Sequence, residues 1–318
     1  MIPEVIIDTD PGVDDTMAIF YALRSPDMRV IGLTTVFGNT DVSHCTANAL
    51  RLLDVTGHTD IPVAQGSARP LIIAPRSTGK AVHGEDGFGN IAHELPPITS
   101  TAISQTAAAF IVEQVMASPG KITLLALGPL TNLALVLRLE PRVAENVHEV
   151  VIMGGAATVP GNASPVAEAN IWNDPHAAAI VFGAGWPVTM IGLDVTHSVS
   201  LSEDYLQSLF GQGTPEAEIL QRIMPVYQSY FQRDYELNHG IYLHDPTATI
   251  CLVRRDLFQI ESIPIYVETE GLCSGQTVYD RLEQWRDVTT HVNVCLKVAV
   301  QDVLALYQQV LSSPSGSH

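Results

Sequence analysis

The chain has 318 residues, 46% of them hydrophobic and 16% charged, so it carries enough apolar material for a sizeable core without covalent staples. A formal net charge of −18 with no Lys/Arg cluster disfavours nucleic acid as a partner. The four cysteines, Cys45, Cys251, Cys273 and Cys295, form no CxxC pair and read as reduced core thiols rather than a disulfide frame or a zinc site.

No apolar stretch approaches the roughly 18 residues of a membrane span. The start, Met1-Ile2-Pro3-Glu4, has no basic leader. The cytoplasm is therefore the expected compartment and no membrane partner is expected.

In chain order, the apolar run Val5 to Ile7 followed by Pro11 and Gly12 predicts a buried strand entering a turn, with a helix over Thr16 to Arg24. Met28 to Phe37 predicts a second strand ending at Gly38-Asn39-Thr40, and Val42 to Thr56 a helix. Pro62 to Pro97 is rich in Gly, Pro and His without a steady period and predicts a long, functional loop around His83-Gly84-Glu85-Asp86-Gly87. Helices are then expected over Ser104 to Met116 and Leu130 to Leu139, with strands over Ile122 to Leu127 and Val147 to Met153.

Ala156 to Asn170 predicts a loop. Asp174-Pro175 starts a helix through Phe182, and Val188 to Leu193 is a strand ending at Asp194. The last third predicts a long helix over Glu216 to Tyr235 and another from His244 to about Val253. Strands over Ile263 to Val267 and Val292 to Lys297 bracket a loop with Arg281 and Trp285, and a final helix covers Val300 to Leu311. Repeated strand–helix alternation predicts an α/β fold whose parallel sheet is covered on both faces. With no biased linker or repeat, residues 1–312 are expected to form one domain and 313–318 a disordered tail.

The polar groups gather where strands end: Asp8, Asp10, Asp14, Asp15, Asn39, the Leu127 carbonyl, Asn162, Glu168, Asn170 and Asp245. A parallel sheet brings such ends to one edge. Crowded carboxylates repel unless a cation or a shared proton compensates, and hard oxygen donors suit Ca²⁺ or Mg²⁺. Helix capping, worth about 1 kcal/mol, accounts for Asp14 or Asp15 but leaves Asp8 and Asp10 without a reason. Taken singly, Asn39 reads as a turn residue, Asp245-Pro246 as a helix N-cap, and Met153 as core. Only their joint position carries information.

The run Asp8-Thr9-Asp10-Pro11-Gly12-Val13-Asp14-Asp15 resembles the N-terminal signature of the inosine–uridine type nucleoside hydrolase family. Gly38-Asn39, His83-Gly84, Gly128-Pro129-Leu130-Thr131-Asn132, Met153-Gly154-Gly155, Glu168-Ala169-Asn170 and His244-Asp245-Pro246 continue the match to about residue 250. The resemblance implies an open α/β fold with a mostly parallel central sheet and a Ca²⁺ ion at the bottom of the pocket. Its ligands would be Asp10, Asp15, the Leu127 carbonyl and Asp245, with Asp8 supporting from behind. Ribose would be held by Asp14, Asn39, Met153 through its backbone, Asn162, Glu168, Asn170 and Asp245. Family relatives also imply a homodimer or homotetramer.

Breaking an N-glycosidic bond builds positive charge on the ribose, which nearby carboxylates stabilise. Asp10 is the expected general base for an attacking water, acidified by the cation. Departure of the base is eased by an acid, for which His244 is the first candidate and His83 the second. A family branch restricted to purines has Trp at the His83 position, so His83 places this chain nearer the branch accepting pyrimidines and purines, with Tyr227, Tyr230 and Trp285 as candidates for the base side. Two other readings compete: a DxD-type Mg²⁺ phosphatase with Asp8 as nucleophile, and a nucleoside- or ribose-binding protein without catalysis.

Overall fold

Val5, Ile6 and Ile7 are wholly buried, and their alternation sorts them to opposite sides of one sheet: Val5 and Ile7 join one core, Ile6 the other. The same alternation recurs at Leu124/Leu125 and at Val150/Val151. A strand apolar on both faces has to be covered on both, and helices supply that cover. The computed structural model describes residues 2–76, 79–235, 237, 240–282 and 291–313.

The strands are β1 (Glu4–Thr9), β2 (Arg29–Thr35), β3 (Val63–Gln65), β4 (Ile122–Ala126), β5 (Glu149–Met153), β6 (Val188–Ile191), β7 (Ser200–Leu201), β8 (Ile241–Tyr242), β9 (Phe258–Val267), β10 (Thr277–Tyr279) and β11 (His291–Val298). The helices are α1 (Val13–Arg24), α2 (Val42–Thr56), α3 (Lys80–His83), α4 (Ala107–Ala117), α5 (Thr131–Leu139), α6 (Val143–Asn146), α7 (Ala169–Asn173), α8 (Pro175–Phe182), α9 (Leu193–Thr196), α10 (Glu203–Phe210), α11 (Pro215–Tyr235), α12 (His244–Val253) and α13 (Val300–Ser312). Side chains of α1, α2, α11, α12 and α13 enter one core; those of α4, α5, α6 and α8 enter the other.

The main sheet has nine strands in the order β10-β9-β11-β6-β5-β4-β1-β2-β3. It is parallel from β3 through β11, while β9 and β10 add an antiparallel edge. The order reverses between β1 and β4, so helices leave β1 and β4 toward opposite faces and the chain opens a crevice beyond their carboxyl ends. Register aligns those ends: Asp8 lies beside Ala126 and Thr34, and Ala126 beside Ile152.

The expected α/β fold is therefore present, with differences in detail. Residues 62–97 contain β3, α3 and a 3₁₀ turn, Ala92–Glu94, rather than continuous loop. β3 escapes periodicity because it is three residues long; it pairs with β2 and forms one further bridge, Ala64 to Ile103. The expected loop before Asn170 ends in α7, and α9, α10 and the small β7–β8 pair were not foreseen. The strand expected at Ile263 begins at Phe258, where antiparallel pairing with β11 tolerates exposed polar residues. Cys45, Cys251 and Cys295 are buried thiols, but Cys273 is exposed in a short 3₁₀ turn, against the expectation of a core position. Trp285 and residues 314–318 lie outside the described residues. Among the described residues no helix is long and apolar enough to cross a membrane.

Candidate active site

Beyond the carboxyl ends of β1, β2, β4 and β5 lies a cleft lined by residues of several elements. Its walls include Asp14, Asn39, His83, Leu127, Met153, Asn162, Glu168, Asn170, His244 and Asp245. The expected site residues thus converge from seven separate stretches of chain, with two differences of depth. Asp10 and Asp15 are 1% and 0% exposed and sit beneath the floor rather than on the wall.

Asp10 is held by backbone. Its Oδ2 accepts the Asn39 N–H at 2.7 Å, while its buried Oδ1 has no hydrogen-bond partner. Two glycines permit this position: a Cβ on Gly38 would overlap Oδ2, and one on Gly128 would lie 2.6 Å from Oδ1. Asp15 is the better satisfied. Its Oδ1 accepts from the Thr9 hydroxyl and from the Asp10 N–H, its Oδ2 from the Gly12 N–H at 3.1 Å and from Asn39 Nδ2 at 2.9 Å. It therefore caps α1 and ties the β2 turn to the β1 turn at once.

Among the described residues, one carboxylate oxygen each from Asp14, Asp15 and Asp245 lies within 4.8 Å of the other two. That grouping brings Asp14 to the cation-sized cluster, where the resemblance had given it to the ribose alone. Asp245 does not cap its helix as its Pro neighbour suggested. The N-cap of α12 is Leu243, and Asp245 falls in the first turn with its carboxylate on the cleft.

Asp8 stands behind these groups. Its Oδ1 accepts from Thr34 Oγ1 at 2.5 Å and Asn132 Nδ2 at 2.8 Å, and at 1% exposure it reaches no cleft wall. The DxD-type phosphatase reading needs Asp8 at its substrate, whereas its Oδ1 is bonded to Thr34 and Asn132.

Burial penalises every one of these charges. Desolvation pushes Asp8 up to about 7 against its hydrogen bonds from Thr34 and Asn132. It raises Asp14 and Asp15 to about 6, with the Asp14 charge adding at Asp15. Asp10 and Asp245 are raised further, by burial first and then by the neighbouring aspartates. Glu168 rises to about 7 through burial, although it caps α7 with backbone N–H bonds from Asn170 and Ile171 and also accepts from Gly155. Such a set ionises together only beside a positive charge. The donors are all oxygens; Asp10 lies outside the Asp14, Asp15 and Asp245 grouping, but its buried Oδ1 has no hydrogen-bond partner among the described residues. The residues therefore fit a hard divalent cation.

The α7 side of the cleft is built by reciprocal bonds. Asn170 Nδ2 donates to the Leu127 carbonyl at 2.7 Å and the Met153 carbonyl at 3.1 Å, and Asn162 Oδ1 accepts the Ala169 N–H at 3.0 Å. A carbonyl oxygen has two lone pairs, so Leu127 keeps one beyond its bond to Asn170.

The other side is aromatic. His83 Nδ1 accepts the Val13 N–H at 3.2 Å, which leaves Nε2 as its N–H, and the ring lies 5.1 Å from that of Tyr227. His244 Nδ1 shares a 2.9 Å hydrogen bond with Thr196 Oγ1. Burial lowers His83 to about 4, and burial with His197 and His83 lowers His244 to about 3. Both imidazoles are thus neutral near pH 7, where sequence alone suggested a titrating acid. Burial is the first cause in both, and His83, with Nδ1 occupied as an acceptor, keeps its Nε2–H as a donor. Tyr227 and Tyr230 line the cleft as expected; Gly79, Val82, Asn173, Phe231 and Tyr235 line it without having been foreseen. The helical spacing of Asn173 from Asn170 was the readable signal for the first polar one.

A sequence model described as inosine-uridine preferring nucleoside hydrolase matches residues 5–305. A protein of Oryza sativa subsp. japonica named probable uridine nucleosidase 1 is 40% identical over 317 residues, covering 98% of this chain and 97% of its own. Among solved structures, the plant nucleoside hydrolase PpNRh1 superposes with a TM-score of 0.93 at 37% identity, over 99% of this chain and 100% of its own. A purine-preferring ribonucleoside hydrolase from Gardnerella vaginalis gives 0.90 at 33% identity, over 97% and 98%.

Proposed function

This chain belongs to the inosine-uridine preferring nucleoside hydrolase family and hydrolyses ribonucleosides, and from that premise we propose that it works with Ca²⁺ and accepts both pyrimidine and purine nucleosides, uridine among them. The observation that carries the metal reading is the partnerless, buried Oδ1 of Asp10 beside the clustered carboxylates of Asp14, Asp15 and Asp245. Asp10, Asp15, Asp245 and the Leu127 carbonyl would hold the ion. Bound there, it would let the carboxylates ionise together and would acidify a neighbouring water.

The chain's own groups divide the remaining work. Asp10 takes the proton of the attacking water, and its backbone cage fixes the direction from which it does so. Asn39, Asn162, Glu168, Asn170 and the Met153 carbonyl orient the ribose, with Asp14 and Asp245 beside its hydroxyls. These carboxylates favour the positive charge that builds on the sugar as the C–N bond lengthens. His244 and His83 donate N–H bonds to the departing base, whose negative charge grows along the same coordinate. His83 and Tyr227 present rings rather than a single polar reader, which supports tolerance of base type.

The test is a panel of uridine, cytidine, inosine and guanosine, assayed for free ribose as reducing sugar. Release from both base classes, lost on exhaustive chelation and restored by Ca²⁺, is expected. Turnover unaffected by chelation would remove the metal. Release from one class alone would overturn the broad specificity. Activity on p-nitrophenyl phosphate without ribose release would restore the phosphatase.

A further inference from the structure

Asn173 is 3% exposed and forms part of the cleft wall, yet its Oδ1 has no hydrogen-bond partner. No side-chain hydrogen bond to either end of its amide is found among the described residues. Native structures rarely bury an amide this way unless water or a ligand completes it. Its neighbours on the same wall are already committed. Both Glu168 oxygens are taken by backbone N–H groups, Asn162 Oδ1 by Ala169, and Asn170 Nδ2 by two carbonyls. Asn173 is the polar group there with both its acceptor and its donor to spare.

Its position says which part of a nucleoside it meets. Asn173 ends α7, three residues after Asn170, so the two side chains share a helix face. On that face Asn170 bonds the Leu127 and Met153 carbonyls, so Asn173 lies on the same short helix as a group of the polar wall. A sugar hydroxyl both donates and accepts, and a free carboxamide matches both roles. We propose that Asn173 is a further ribose-binding residue, its Oδ1 accepting from a ribose hydroxyl and its Nδ2 donating to one. This rests on the ribonucleoside reading above and adds a contact to it.

The experiment is direct calorimetric binding of free ribose and, separately, of uracil to the full chain with Ca²⁺ present, for wild type, Asn173→Ala and Asn173→Leu. The Leu variant keeps the volume of the side chain, so one of the pair remains informative if the other folds poorly. Ribose affinity is expected to fall by about tenfold in both, the scale of one lost buried hydrogen bond, while uracil affinity stays within error. In uridine turnover the same change appears in KM with kcat held to within about threefold. Ribose affinity equal to wild type in a folded variant overturns the assignment, as does a loss of uracil affinity instead. Because binding is read without turnover, the inference fails on its own terms, whereas absence of ribose release from wild type would count against the activity.

Discussion

Asp10 shows how little side-chain chemistry is needed to make a carboxylate reactive. Its neighbours are a backbone N–H, two glycines that leave room for it, and other acids that raise its proton affinity. Asp10→Asn keeps the shape and removes the base, so kcat should fall by roughly 10²–10⁴-fold with ribose release as readout. The melting temperature should hold or rise, because a desolvated acid is removed; near-wild-type kcat would take Asp10 out of the mechanism. Gly38→Ala reaches the same end sterically. Its Cβ would displace Asp10 Oδ2, so activity and stability should fall together. The sequence displayed the crowd of aspartates, but Asp14 joining Asp15 and Asp245 depends on where the α1 turn meets α12, which no local pattern encodes.

At the scale of elements, the His83 segment is positioned by α2. Asn48, 1% exposed, donates its Nδ2 to the Pro11 carbonyl at 3.0 Å and to the Asp86 carbonyl at 2.8 Å, and Thr40 Oγ1 donates to the Glu85 carbonyl at 2.7 Å. One amide thus clamps the loop bearing His83 to the turn bearing Asp10. Asn48→Ala leaves the buried Pro11 carbonyl and the half-buried Asp86 carbonyl without this donor, at about 1–3 kcal/mol. A change of that size should lower the melting temperature by a few degrees. It should also cost kcat/KM, and that cost should shrink when His83 is already Ala; strict additivity in the double mutant would detach Asn48 from His83. Residues 62–97 read as loop because their short elements show no period. Their order comes from such side-chain clamps, which propensity does not register.

The whole molecule gathers raised carboxylates in one place, and its stability should report them. Asp8 and Glu168 at about 7, Asp14 and Asp15 at about 6, with Asp10 and Asp245 raised as well, all bind protons more tightly folded than unfolded. The folded state then holds more protons than the unfolded state above the ordinary carboxylate range, so stability falls as pH rises. His83, His197 and His244 work the other way, because the unfolded chain protonates them below about 6.5, but three imidazoles are outnumbered by six acids. Chelated protein should therefore melt at a higher temperature near pH 5 than near pH 7.5. Ca²⁺ should stabilise it most at the higher pH, where the carboxylates are free to bind. A chelated protein whose stability rises from pH 5 to 7.5 would contradict this account.

Taken alone, the sequence determined the α/β alternation and most of the residues that meet in the cleft. Two-sided apolar strands, helical spacing and an unusual density of strand-end acids are local signals that survive without tertiary information. It could not rank depth, protonation or partnership. That Asp10 and Asp15 lie below the floor, that His83 and His244 are neutral, and that Asn173 Oδ1 stands unpaired near a Glu168 already bonded to backbone N–H groups follow from packing and desolvation. Those quantities depend on what every neighbouring element excludes from water, and only the folded chain fixes that.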